Sequence, residues 1–506
     1  EHEEEAQRLF SATGVTIKTS GNRHLGGAIG SEEFCSAFMA KKVDKWKQVL
    51  DSLTGMAVTQ PQAAYTVFTK GLSSTWTYHL RCSPCSAEIL AELDERINDC
   101  LIPALLGDGV RPGSPERELM SFPVRLGGLA LPLLQDSAPA ELAASLSITK
   151  PLVQLLLTGT YANPPSVPGD MARSDLSDTA QSEGSGDTTQ EVADRVRLSN
   201  HDPVRDAVGD TRQLARSTRT SKMRSLCSRQ QDIKADLSSE QQFLVEIASE
   251  KGVSSWLTVA PRWQDGTILK KSDFRDALCI RYGRRLSGLP DSCVCGVPLS
   301  PAHALTCATG GYTIARHNEV RDLVAGLLRE AGVVDVETEP RLLPCSSEHL
   351  PGGRSLNRCA EARLDVRARG FWSWQQDAYF DVRITHPAAS VLSRSQALSQ
   401  LKSHERNKKN QYASRVVNVE RGSFTPLVFS TYGFSGPETT QFLKSLASLF
   451  VERHTELKYP LVMGILRTRL SFCLLRWAVT CFRGCRGSYG KRRQPNSFLA
   501  QCRQAE

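Results

Sequence analysis

Long apolar runs are scarce in this chain. The most apolar stretch, Leu470 to Phe482, is shorter than a membrane span and carries Arg476, so no membrane partner is expected. The opening residues Glu1-His2-Glu3-Glu4-Glu5 lack the apolar core of a secretory signal. They also lack an initiator Met, and the sequence reads as a piece of something longer. No internal repeat is visible. Acidic residues are missing between Lys458 and Ala505, where ten Lys/Arg occur. A tail of one sign suits a phosphate backbone, although a solvated helix face with a loose basic end gives the same pattern. Cysteine, by contrast, is plentiful. The fifteen cysteines are spread irregularly rather than as a small-domain disulfide framework. Reduced thiols fit better, some of them on metal, in cytosol or nucleus.

The remaining composition is that of globular protein, with 40% hydrophobic and 23% charged residues and a net charge of +8. At 506 residues two or three domains are expected. Val15 to Thr19 alternates like a strand and turns at Ser20-Gly21-Asn22. Residues 32–106 then read as helices: Phe34, Phe38, Val43, Trp46 and Leu50 recur at roughly helical spacing. Pro61 opens a second helix, and Ser86 caps a third that Gly107 stops. Around residue 160 the pattern dissolves. Seven acidic residues and one Arg between Thr160 and Asp194 give way to ten Lys/Arg against five Asp from Arg195 to Asp236. Little periodicity and few aromatics predict a linker, disordered at least in its first part. Past Cys307 the signals turn α/β. Helix 318–331, strands 333–338, 363–367 and 378–385, helix 390–416 and strand 425–430 make a small α/β core. Helices 437–454 and 459–482 follow.

Three constellations carry chemistry. Cys293-Val-Cys295, His303 and Cys307 place four soft or borderline ligands within a short span, enough to close a tetrahedral zinc site. With every position filled by protein, that zinc is structural. The second constellation is Arg363-Leu364-Asp365 followed by Phe380-Asp381-Val382-Arg383. Two carboxylates on neighbouring strands form a hard-oxygen site for Mg²⁺, with Glu319 and Glu339 as candidate outer ligands. Alternatively, Asp365 and Asp381 pair with the nearby Arg363, Arg367 and Arg383. The third is Lys402, His404, Glu405, Arg406, Lys408, Lys409 and Tyr412 on the long polar helix. It reads either as a source of an ammonium for the carboxylate site or as a solvated cationic face.

Taken in order, Cys293-x-Cys295…His303-x3-Cys307, Arg316-His317-Asn318-Glu319, Glu339-Pro340, Leu364-Asp365, Asp381 and Lys408…Tyr412 resemble a known arrangement. It is that of the C-terminal half of non-LTR retrotransposon proteins bearing a restriction-enzyme-like PD-(D/E)xK endonuclease. Arg23-His24-Leu25-Gly26-Gly27 is similar to a reverse-transcriptase primer-grip hairpin, and residues 32–106 to its helical thumb. The resemblance implies a multidomain chain. Residues 1–158 would end the reverse-transcriptase palm and form an all-α thumb, and 159–238 would be a flexible charged linker. A helical linker region would occupy 239–292, a CCHC zinc knuckle 293–307, and an α/β restriction-endonuclease-like domain 308–435. C-terminal helices and a basic tail would fill 436–506.

It also implies a mechanism and partners. Asp365 and Asp381 match the metal-binding carboxylates, Lys408 the helix-borne lysine, and Lys402 is the second candidate for that role. Nucleic acid is expected at Arg23, His24, Gly26, Arg316 and His317, and at Lys491, Arg492 and Arg493 of the tail. The implied cofactors are structural Zn and catalytic Mg, and the partners are target DNA and element RNA. The implied location is the nucleus, after synthesis and ribonucleoprotein assembly in the cytoplasm. Leu364 replaces the usual proline, and Arg383 stands where restriction enzymes usually carry lysine. No Asp-Asp pair occurs anywhere, so the catalytic carboxylates of a polymerase palm must lie in a missing upstream portion. An endonuclease and a catalytically inactive nucleic-acid-binding remnant both remain open.

Overall fold

The computed structural model describes residues 2–159, 203–345, 357–387 and 390–484. Most of them are helical, with one two-stranded hairpin and one four-stranded mixed sheet. The chain divides into two compact units. The first comprises residues 1–42, 75–90 and 134–229, and the second residues 43–74, 91–133 and 230–506.

In the first unit the hairpin pairs β1 (Gly21–His24) with β2 (Gly27–Gly30). Its tip, Leu25-Gly26, has positive φ at both residues, +45° and +90°. That is the two-residue turn whose twist matches antiparallel strands, and glycine takes the second position without strain. The expected strand at Val15–Thr19 is absent; Gly21 and Asn22, the expected turn, lie in β1, and the turn forms at Leu25-Gly26, where Gly26 permits it. The unit also holds α1 (Leu134–Thr158) and α2 (Pro203–Ala235, through Arg229). Helix α1 is long and apolar enough to cross a membrane by length and composition, and only 11% of its apolar window is buried. Helix α2 corrects the expected flexible linker over residues 203–235, since 33 consecutive residues are helical there. Its Ala, Arg, Gln and Lys content favours helix, and Glu141 of α1 binds both Arg81 and Lys222. The acidic half of the expected linker, 160–202, lies outside the described residues.

The second unit takes in much of what the sequence suggested would be a separate helical bundle. Gln62 accepts from Leu269 N (2.7 Å) and donates to Thr267 O (2.8 Å), and Tyr65 lies 6.0 Å from Phe274, ring to ring. From α3 (Lys271–Tyr282), buried Arg281 donates to Gly128 O and Val124 O, both at 3.2 Å. Residues 43–74 and 91–133 meet each other, as where Tyr65 OH donates to Leu129 O (3.1 Å), and are completed by 256–282.

The four-stranded sheet runs β3 (Val334–Thr338), β4 (Val366–Arg369), β5 (Asp377–Thr385), β6 (Ser423–Ser430). The first two pairings are antiparallel and β5–β6 is parallel. Pro426, which cannot donate to a ladder, sits on the edge strand β6. Central β5 is buried on both faces. Phe380 and Val382 join the large core with α5 (Tyr312–Glu330), α7 (Pro437–Arg453) and α8 (Tyr459–Arg483). Tyr379, one residue out of phase, packs with Leu364, Tyr412 and Val416 under α6 (Arg394–Arg415). Period-two alternation therefore turns Asp381 to the α6 side. A short helix α4 (Pro301–Thr306) precedes α5.

Candidate functional site

Two groups of chemically capable side chains emerge in the second unit. The first is the cysteine–histidine cluster. Gly296, at φ +85°, turns the chain so that Gly296 N bonds to Cys293 O and Cys293 N to Val297 O. Ser300 caps α4 by accepting from His303 N (3.2 Å), which fixes His303 and Cys307 about one turn apart. The four ligand atoms of Cys293, Cys295, His303 and Cys307 all lie within 4.8 Å of one another. Cys307 Sγ is 3.9 Å from both Cys293 Sγ and Cys295 Sγ, and Cys295 Sγ is 3.2 Å from His303 Nε2. Tetrahedral zinc with Zn–S of about 2.3 Å would set sulfurs about 3.8 Å apart. The donor set fits zinc, with no position left for a reacting water. Leu305, fully buried against Leu286, Ala478 and Phe482, anchors the cluster.

The second group surrounds β5. Asp365, just before β4, accepts on Oδ1 from His317 Nε2 (2.9 Å) and on Oδ2 from Val382 N (2.6 Å). The Asp365 bond is the main reason His317 is held more basic than usual. Asp381 is 6% exposed. Burial pushes its carboxyl above the ordinary aspartate range, the repulsion of Asp365 adds to this, and the Lys408 ammonium only partly offsets it. Lys408 Nζ forms an ion pair with Asp381 Oδ2 at 2.9 Å. The centre is thus a carboxylate pair whose charge is met by His317 and Lys408.

An open, largely polar cleft of ≈ 480 Å³ adjoins this centre. Its walls include Thr306, Thr313, Arg316, His317, Arg383 and Lys408, and no carboxylate. His386, also in the cleft wall, bonds Thr431 Oγ1 through Nδ1 (2.9 Å), and burial pushes its pKa down to about 4. Nothing in the sequence marked His386, which is simply the residue after β5 ends.

The structure separates the remaining site candidates. Lys402 is exposed on α6 and makes no contact with either aspartate, whereas Lys408 does. Glu339 is turned away as an outer ligand: it pairs with Arg321, and lies 3.9 Å from Arg363. Glu319 is exposed on α5, and among the described residues no cluster of three metal-ligating side chains includes it or the aspartates. Arg316 is 4% exposed, and its Nη1 donates to Leu305 O (3.2 Å), so it ties α5 to the cluster helix rather than lying on an open surface. Asp365 and Asp381 are not paired with Arg363, Arg367 or Arg383; Arg367 takes Glu337 instead. Arg23 and His24 are exposed on the hairpin, and Gly26 is at its tip. Lys491, Arg492 and Arg493 lie outside the described residues. Compared with family models and with curated proteins, the chain matches none.

Proposed function

We propose that the chain is a metal-dependent DNA endonuclease, the downstream portion of a retrotransposon-encoded reverse transcriptase/endonuclease. One observation carries the reading: Asp365, Asp381, His317 and Lys408, drawn from four separate elements, converge beside a cleft lined by cations. Asp365 and Asp381 would hold Mg²⁺, which when bound activates a water and stabilises charge developing on a phosphodiester. His317 orients Asp365, and Lys408 positions the water or screens the phosphate. Arg383 receives the DNA backbone in the cleft. The cysteine–histidine cluster holds zinc structurally and forms the cleft wall at Thr306. The hairpin and the helices around residues 32–106 would serve an upstream polymerase palm and element RNA, and the nick would prime reverse transcription in the nucleus.

A second reading has its own observation. Both oxygens of Asp365 are already engaged, by His317 and by Val382 N, as in a settled structural pair. That favours a nucleic-acid-binding remnant that no longer cuts. A plasmid-nicking assay with Mg²⁺ separates the two, using wild type, Asp365→Ala, Asp381→Ala and Lys408→Ala with DNA binding measured in parallel. The endonuclease predicts nicking by wild type, none by either Asp variant, and binding largely retained, since affinity comes from phosphate contacts. Binding without nicking by any of them establishes the remnant. Equal nicking by wild type and both Asp variants removes the site.

A further inference from the structure

Helix α2 carries a charge pattern that ordinary solvated helices avoid. From Arg212 to Gln231 it has six Lys/Arg and no Asp or Glu. Exposed helices normally interleave opposite charges three or four residues apart, because like charges at those spacings repel. Here Arg212 and Arg216, Arg216 and Arg219, and Arg219 and Lys222 are all like-charged neighbours. Two cations are neutralised within the unit: Lys222 by Glu141, and Arg229 by Asp136 at 3.5 Å, both acids on α1. Arg212, Arg216 and Arg219 have no ion pair among the described residues, and all three are exposed.

With Arg205, also exposed, they stand seven, four and three residues apart, which keeps them on one face of the helix. The row is roughly 21 Å long at 1.5 Å per residue. Exposed Ser217, Thr220 and Ser221 beside it are small and polar, so a backbone can come close. The helix contains no Phe, Tyr, Trp or His. It therefore offers no platform on which unpaired bases would stack, and single strands are poor candidates.

We infer that this arginine ridge docks the sugar–phosphate backbone of duplex DNA. It is a contact surface on a different unit from the aspartate centre. The preference for DNA over RNA rests on the nuclease reading; the ridge and its phosphate chemistry do not. Guanidinium groups suit the task because each offers a fork of donors to phosphate oxygens. No base edge is read by such a row, so it adds affinity and register without sequence preference.

The test is fluorescence anisotropy with the full chain, without divalent metal, so that cutting does not enter. Probes are a labelled DNA duplex, an RNA duplex of the same sequence and the single DNA strand, each across about 50 to 200 mM salt. In the triple variant Arg212→Gln, Arg216→Gln, Arg219→Gln, the slope of log affinity against log salt on duplex DNA should fall by about 2.7, at about 0.9 per lost phosphate contact. Duplex affinity at low salt should fall by about ten-fold or more. The triple Arg→Lys variant keeps the charges and should bind nearly as wild type, which separates lost contacts from lost folding. An unchanged slope in the Gln variant overturns the ridge. So does a reduced slope seen only on RNA or single strand, or a Lys variant as weak as the Gln variant. A chain that never nicks but loses its duplex slope in the Gln variant keeps the ridge and loses only the nuclease.

Discussion

The cysteine–histidine cluster and the aspartate centre belong to the same unit and are built in opposite ways. All ligands of the cluster come from residues 293 to 307, on turns and one short helix, and Cys295 is exposed. The aspartate centre gathers His317, Asp365, Asp381 and Lys408 from two helices, the entry to β4 and the middle of β5, over a sheet whose Phe380 and Val366 are fully buried. A few buried contacts through Leu305 and Ala304 are a thin basis for order, so a metal bound to the cluster would supply much of its stability. The centre is the reverse case. Its residues stand on a buried sheet, and its charges are accommodated there at some electrostatic cost.

The largest contrast should come from Asp381→Asn. It keeps the shape and removes the buried charge, so metal-supported nicking should fall at least a thousand-fold, on the order of 4 kcal/mol of transition-state stabilisation. The cluster should keep its metal content, measured by elemental analysis. Loss of zinc in the same variant would show that the two sites are not independent.

Chelation addresses the other side. Removing metal from the cluster should speed amide exchange over residues 291–307 on the order of a hundred-fold, while 377–385 stays protected. Hydrogen-exchange mass spectrometry resolves this. Equal loosening of β5 would mean that the cluster supports the sheet.

Lys408→Gln comes next. Without the ammonium at 2.9 Å the buried Asp381 carboxyl should become still harder to ionise, and nicking should drop roughly ten- to hundred-fold with the optimum moved to higher pH. Lys402→Gln, on the same helix but exposed, should act only through DNA affinity. A Lys402 defect as deep as that of Lys408, at saturating DNA, would reassign the lysine.

The smallest effect concerns Glu405, one turn before Lys408. Burial raises its carboxyl to about 7, and it accepts from Glu438 N (3.0 Å), with Lys409 nearby. Between the ordinary value near 4.5 and about 7 the folded chain keeps a proton that the unfolded chain has released. Stability from this group is therefore fully present below about 4.5 and lost as pH rises towards 7. Glu405→Gln should flatten that slope and raise Tm at pH 8 by about 2 °C. A steeper slope in the variant would contradict the assignment.

The same contrast explains what could be read from the amino acids alone. The cluster was legible because its ligands are local: spacing and turn residues Gly296 and Pro301 suffice to bring them together. Helix ends were legible for the same reason, as with Ser86 directly before the helix that begins at Ala87, and Gly107 closing the helix that ends at Leu106. Asp365 and Asp381 could be named from strand patterns, but not their partners. That His317 takes Asp365 and Lys408 takes Asp381 depends on how helices seat on the sheet, which periodicity does not encode. Glu339 looked like a ligand because it follows a strand, and Arg321 captured it instead. Residues 203–235 looked like linker because their apolar stripe is thin; propensity and the Glu141 contacts made them a helix. Residues 32–106 read as one bundle, yet Gln62 and Tyr65 also take partners two hundred residues away.

The measurement closest to the central claim counts metal ions at the aspartates. Zinc-loaded protein is titrated with Mn²⁺, a spectroscopic substitute for Mg²⁺, and free Mn²⁺ is followed by electron paramagnetic resonance. Wild type should bind one ion that the Asp365→Asn, Asp381→Asn double variant does not, while both keep the same zinc content and the same far-UV circular dichroism. Equal Mn²⁺ binding by the two proteins, both folded, would contradict a metal centre at Asp365 and Asp381.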